Sequence, residues 1–126
     1  MSDTKTITIN QTGGPIVIRV ASDRFPQSIA GIIWRYDSAK KYEGKSGRFR
    51  TQVSEVALGV PENLVNKFFL VEGAVFHQSD SPPTPYQVEV TISQDGKILE
   101  QEIPDDKGEG SIGTENVAFV YKFQLV

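Results

Sequence analysis

The sequence predicts an all-β fold: an antiparallel β-sandwich, immunoglobulin-like or jelly-roll in type, with roughly seven to nine strands and at most one short helix. Three observations carry this. Apolar residues recur with a period of two along most of the chain. Gly, Pro, Asp and Asn punctuate these runs at near-regular spacing. Helix signals are confined to one short segment. The 126 residues suit one domain over 1–126, large enough to bury a core without staples.

Taken in order, "TKTITIN" sets Ile7 and Ile9 against Thr4, Thr6 and Thr8, and β-branched residues favour the extended state. "QTGGP" turns the chain, and "IVIRV" directs Ile16, Ile18 and Val20 inward. "SIAGIIWRY" sets Ile32, Trp34 and Tyr36 against Ile33 and Arg35. "GRFRTQV" exposes Arg48, Arg50 and Gln52 and buries Phe49 and Val53. "VPENLVNK" offers a short helix or 3₁₀ turn between strands. "KFFLVEGAVF" is apolar on both faces, which predicts a central strand or a bulge at Gly73. "YQVEVTIS" alternates cleanly, Asp95-Gly96 supplies a two-residue hairpin, and "KILEQEI" returns. "NVAFVYKFQLV" closes the chain with the stripe Val117, Phe119, Tyr121, Phe123 and Leu125. Loops are expected at 21–28, 37–46, 78–85 and 104–115. The two-sheet arrangement follows from strands with one wet face each.

Composition narrows function. Without cysteine there are no disulfides, thiol nucleophiles or thiolate metal sites. Net charge is −3 and the pI about 5.1, which argues against nucleic-acid binding. No apolar run approaches the roughly 20 residues of a membrane span. "MSDTKTITIN" has no Sec-type signal character, so the expected location is the cytoplasm, or outside by another export route. The charge is uneven: Arg35, Lys40, Lys41, Lys45, Arg48 and Arg50 fall within residues 35–50, and acids crowd the last third. Either both groups are simply solvated, or the molecule has a positive and a negative side.

Catalytic signals are weak. His77 is the one histidine; Ser79 and Asp80 stand near it, but triad members come from separate elements. Gly44-Lys45-Ser46 lacks the earlier glycine of a phosphate loop. "IPDDKGEGSIGTENV" gathers Asp105, Asp106, Glu109 and Glu115. Counted from Asp105, Lys107 stands where a calcium ligand is needed and Asn116 where the bidentate glutamate is. An ordinary acidic turn is the expectation, with no metal and no cofactor.

The aromatics offer more. Trp34, Tyr36, Tyr42 and Tyr86, with His77 and Asp80, are the candidate ligand-binding residues. Asn63, Asn66, Gln78 and Asp80 would supply hydrogen bonds to a sugar. Against this, Trp34 and Tyr36 weigh toward the core, as a strand tryptophan in a sandwich often does. Lys40, Lys41, Lys45, Arg48 and Arg50 are the candidate partner-binding residues. The sequence therefore predicts no enzyme but a binding or assembly module, engaging a protein partner or itself. The alternative is a lectin-like carbohydrate binder using loop aromatics; a carboxylate glycosidase ranks third.

Overall fold

A computed structural model describes residues 4–22, 28–76, 83–113 and 115–126. Ten strands lie among the described residues. They are β1 (Thr4–Ile7), β2 (Ile16–Ser22), β3 (Ser28–Tyr36), β4 (Tyr42–Thr51), β5 (Val53–Gly59), β6 (Phe68–Phe76), β7 (Thr84–Gln94), β8 (Lys97–Glu102), β9 (Glu109–Ile112) and β10 (Val117–Leu125). One sheet has the order β1-β10-β6-β3-β4. The other has β5-β2-β7-β8, with β9 also on β7. A 3₁₀ turn at Pro61–Asn63 precedes β6 and drops Leu64 into the core.

The sandwich is as expected, but ten strands exceed the expected seven to nine. Two additions account for this. Thr51, with φ of 74°, ends β4, and the chain crosses to the other sheet as β5 rather than continuing as one strand. The Ser54 hydroxyl holds this corner, accepting from the Arg50 N–H and donating to the Arg50 carbonyl. The expected loop 104–115 yields β9, because Tyr86 and Gln87 pair with Gly110 and Glu109. β4 likewise starts at Tyr42, inside the expected loop 37–46, since Asp37 Oδ1 accepts from the N–H groups of Ala39 and Lys41 and completes the turn early. One pair departs from the antiparallel rule: β1 runs parallel to β10. Parallel neighbours need a long crossover, and here the whole domain between the two ends supplies it.

The core is built from the inner rows of both sheets. Ile16, Ile18 and Val20 of β2 and Val88, Val90 and Ile92 of β7 face Phe69, Val71 and Val75 of β6 and the β10 stripe. Phe69 stacks on Phe123 at 5.0 Å, and Phe49 meets Phe119 at 6.1 Å. β6 is central in its sheet, and its pairing runs through Gly73 without a bulge. The Asp95-Gly96 hairpin has φ of 54° and 75°, the left-handed pair that matches strand twist. Gln94 is buried beside it. Its Oε1 accepts from the Asn10 N–H, and its Nε2 donates to the carbonyls of Asn10 and Gly14. That clasp ties the β1–β2 connection to the β7–β8 hairpin.

Candidate functional site

The outer face of the β1-β10-β6-β3-β4 sheet collects what the sequence left scattered. Residues that face inward on β3 are Ile29, Gly31 and Ile33, with Ile29 and Ile33 fully buried. Trp34 and Tyr36 therefore face outward, half-buried, and the expectation that they belong to the core is overturned. "SIAGIIWRY" is apolar on both faces, so its periodicity does not say which stripe goes in. The inner stripe holds the small Gly31, which lets the Phe49 ring approach the sheet.

Register places the outer side chains in rows. Gln124, Phe68, Tyr36 and Tyr42 lie side by side across β10, β6, β3 and β4. The next row reads Thr4, Lys122, Leu70, Trp34 and Lys45. A third holds Val120, Glu72, Ile32 and Arg48, and a fourth Ala118, Ala74, Ala30 and Arg50. Tyr42 is 59% exposed and lies 5.9 Å from Trp34 and 5.8 Å from Tyr36, ring centre to ring centre. Lys45 Nζ stands 5.7 Å from the Trp34 ring and Lys40 Nζ 5.1 Å from the Phe68 ring. Such contacts hold a cation over an aromatic face without neutralising it.

Two groups of predicted residues thus merge. Trp34, Tyr36 and Tyr42, named as ligand-binding, share one face with Lys45, Arg48 and Arg50, named as partner-binding. Lys40 and Lys41 sit at its border in the β3–β4 turn, where Lys40 takes φ of 62°. Among the described residues, none of Lys40, Lys41, Lys45, Arg48, Arg50 or Lys122 forms an ion pair. Glu72 is the acid in these rows. Of the acids beside them, Glu43 is held by Lys67 at 2.7 Å and Arg35 at 3.3 Å, and Asp37 Oδ1 accepts from the N–H groups of Ala39 and Lys41 in the β3–β4 turn.

Tyr86 does not join them. It is 4% exposed, and its hydroxyl donates to the Lys107 carbonyl at 2.8 Å, so its ring supports the β9 segment from the core. Among the described residues Asn66 bonds through its backbone: its N–H donates to the Leu125 carbonyl and its carbonyl accepts from Gln124 Nε2. His77, Gln78, Ser79 and Asp80 lie outside the described residues. In the acidic segment, Asp106 bridges to Val120 through backbone and Glu109 accepts from Gln87 Nε2. No group of three or more His, Cys, Asp or Glu side chains converges among the described residues.

Sequence reading missed Phe68, Leu70, Lys122 and Thr4. They line an open cleft of about 280 Å³ with Tyr36 and Lys40. Part of the signal was present in "KFFLVEGAVF": a strand apolar on both faces, within a sheet that has one face in water, must expose one of its two stripes, and in the fold that stripe is the one with Phe68 and Leu70.

Two phenols outside the face carry a pH signature. Burial pushes the Tyr86 and Tyr121 hydroxyls above the ordinary value of 10.0; Glu109 adds to the first, and Glu102, Glu100 and Asp105 to the second. A folded-state pKa above the unfolded one gives stability that is complete below the unfolded value and falls as pH rises past it. The urea midpoint should hold up to pH 10 and then decline, and Tyr121→Phe should show a shallower decline. Parallel declines in the two proteins would count against the assignment.

No protein-family model matches the chain, and no curated protein matches it. Two solved structures resemble it in outline. One is a domain of unknown function, DUF4425, from Bacteroides vulgatus, with a TM-score of 0.44 and 13% identity over 87% of this chain and 93% of that one. The other is a DUF4425 family protein from Bacteroides ovatus, with a TM-score of 0.44 and 12% identity over 88% of this chain and 94% of that one. At this distance neither likeness carries an argument, and the site rests on its own geometry.

Proposed function

We propose that the protein is a non-catalytic binding module that engages an acidic protein partner through the outer face of the β1-β10-β6-β3-β4 sheet. One observation carries the reading: aromatic rings and cations without an ion-pair partner among the described residues share one face of a molecule whose net charge is −3. Aromatic and arginine side chains are enriched where partners dock, because they bury much area at small entropic cost. The cations steer an acidic partner, and the acids elsewhere on the molecule disfavour other orientations. A neutral sugar would need amides or carboxylates beside the rings, and the described neighbours are chiefly ammonium, guanidinium and hydrocarbon.

Trp34 is the one tryptophan in the chain, so its emission reports this face directly. Titration with a synthetic glutamate-rich peptide should shift that emission at low salt and much less at high salt. The Arg48→Ser/Arg50→Ser variant should bind severalfold more weakly, with a smaller salt dependence. A response to neutral glycans but not to the peptide would overturn the reading in favour of a lectin. A mass that rises with protein concentration, without peptide, would make a second copy the occupant.

A further inference from the structure

We infer that the cleft between Tyr36, Phe68 and Leu70 is an anchor pocket for one large apolar side chain of the partner, flanked in the partner's chain by carboxylates. This rests on the reading of the sheet face as the site of an acidic partner. Three features of the cleft fix the chemistry. Its volume, about 280 Å³, has room for one large side chain. Its floor is apolar: Phe68 and Leu70 alternate outward on β6, beside Tyr36 on β3. Its rim is cationic on two sides, with Lys40 from the β3–β4 turn and Lys122 from β10, and Thr4 adds a hydroxyl at the β1 end.

The position of Lys40 is informative. Its Nζ stands over the Phe68 ring, at the border of the apolar floor, and no acid among the described residues neutralises it. Lys122 is half-buried, so its hydrocarbon stem adds to the wall while its ammonium stays at the rim. An apolar side chain entering between them brings its neighbours' carboxylates to the two ammonium groups. A lone carboxylate would leave the floor in water, and a neutral apolar segment would leave two cations unpaired.

Calorimetry with two tryptophan-free peptides, Glu-Asp-Phe-Glu-Asp and Glu-Asp-Ala-Glu-Asp, tests this. The phenylalanine peptide should bind about tenfold to a hundredfold more tightly, as burial of one such side chain implies. Leu70→Ala should remove most of that preference, and Lys122→Ser should weaken both peptides, each with an unchanged melting temperature. Should Leu70→Ala unfold the protein, Lys40→Ser and Lys122→Ser still read the rim. Equal affinity for both peptides, with binding still weakened by Arg48→Ser/Arg50→Ser, would overturn the anchor pocket and leave the binding face standing. Binding of neither peptide would overturn both. Hydrocinnamate binding as tightly as the phenylalanine peptide would also overturn the inference, since the cleft would then be a site for a free organic acid.

Discussion

Phe119→Ala should cost about 3–5 kcal/mol, a large part of a small domain's stability, and should unfold or aggregate the protein on mild denaturation. Phe119 is fully buried on β10, 6.1 Å from the Phe49 ring. β10 is itself an inner strand, paired with β6 on one side and β1 on the other. The cavity left by the ring would adjoin Phe49 and Gly73, and Gly73 has no side chain to fill it. Lys122 on the same strand faces outward, so Lys122→Ala should leave the urea midpoint nearly unchanged. Equal midpoints for the two variants would mean that the aromatic stripe is not in the core.

Gly31→Val should also be strongly damaging, by the opposite mechanism. A Cβ at Gly31 would run into the Glu72 carbonyl oxygen and Phe49 Cζ and stand 2.6 Å from the Gly73 Cα. Two of these three neighbours are backbone of the adjoining strand and cannot rotate away. Gly31 and Gly73 are register partners across β3 and β6, and together they form a notch that receives the Phe49 ring. Overpacking a rigid site costs about 1–3 kcal/mol and more where backbone must move. β3 also carries Trp34 and Tyr36, so displacing it would spread the aromatic rows of the outer face. Gly44→Ala differs, because a Cβ there meets nothing, although its φ of 137° is strained for any side chain. A Gly31→Val protein with the melting temperature of the parent would refute the notch.

Much of the fold was legible because a half-wet strand writes itself in alternation. "YQVEVTIS" and "NVAFVYKFQLV" have one apolar stripe each, and that stripe is buried. The hairpin between β7 and β8 was legible because Asp95-Gly96 accepts positive φ at both positions. The site was legible only in part. Arg48 and Arg50 flank the buried Phe49, and alternation alone sends them outward. Tyr86 misled only as a ligand candidate: it is in phase with Val88, Val90 and Ile92, and alternation sends it into the core with them.

The sequence by itself determined the class of fold, the inward stripes of β2, β7 and β10, and the concentration of cations near residues 35–50, since each is a property of local spacing. Three things were decided only by tertiary structure. The first is which stripe of β3 and β6 meets the core: both faces of each are apolar, and the choice falls to Gly31 and Gly73, whose missing side chains admit Phe49. The second is the parallel seat of β1 beside β10, a contact between the two ends of the chain that no local pattern encodes. The third is the site itself. Trp34, Tyr42, Phe68 and Lys122 come from four strands, and they become neighbours only when pairing registers set those strands roughly 5 Å apart in one sheet.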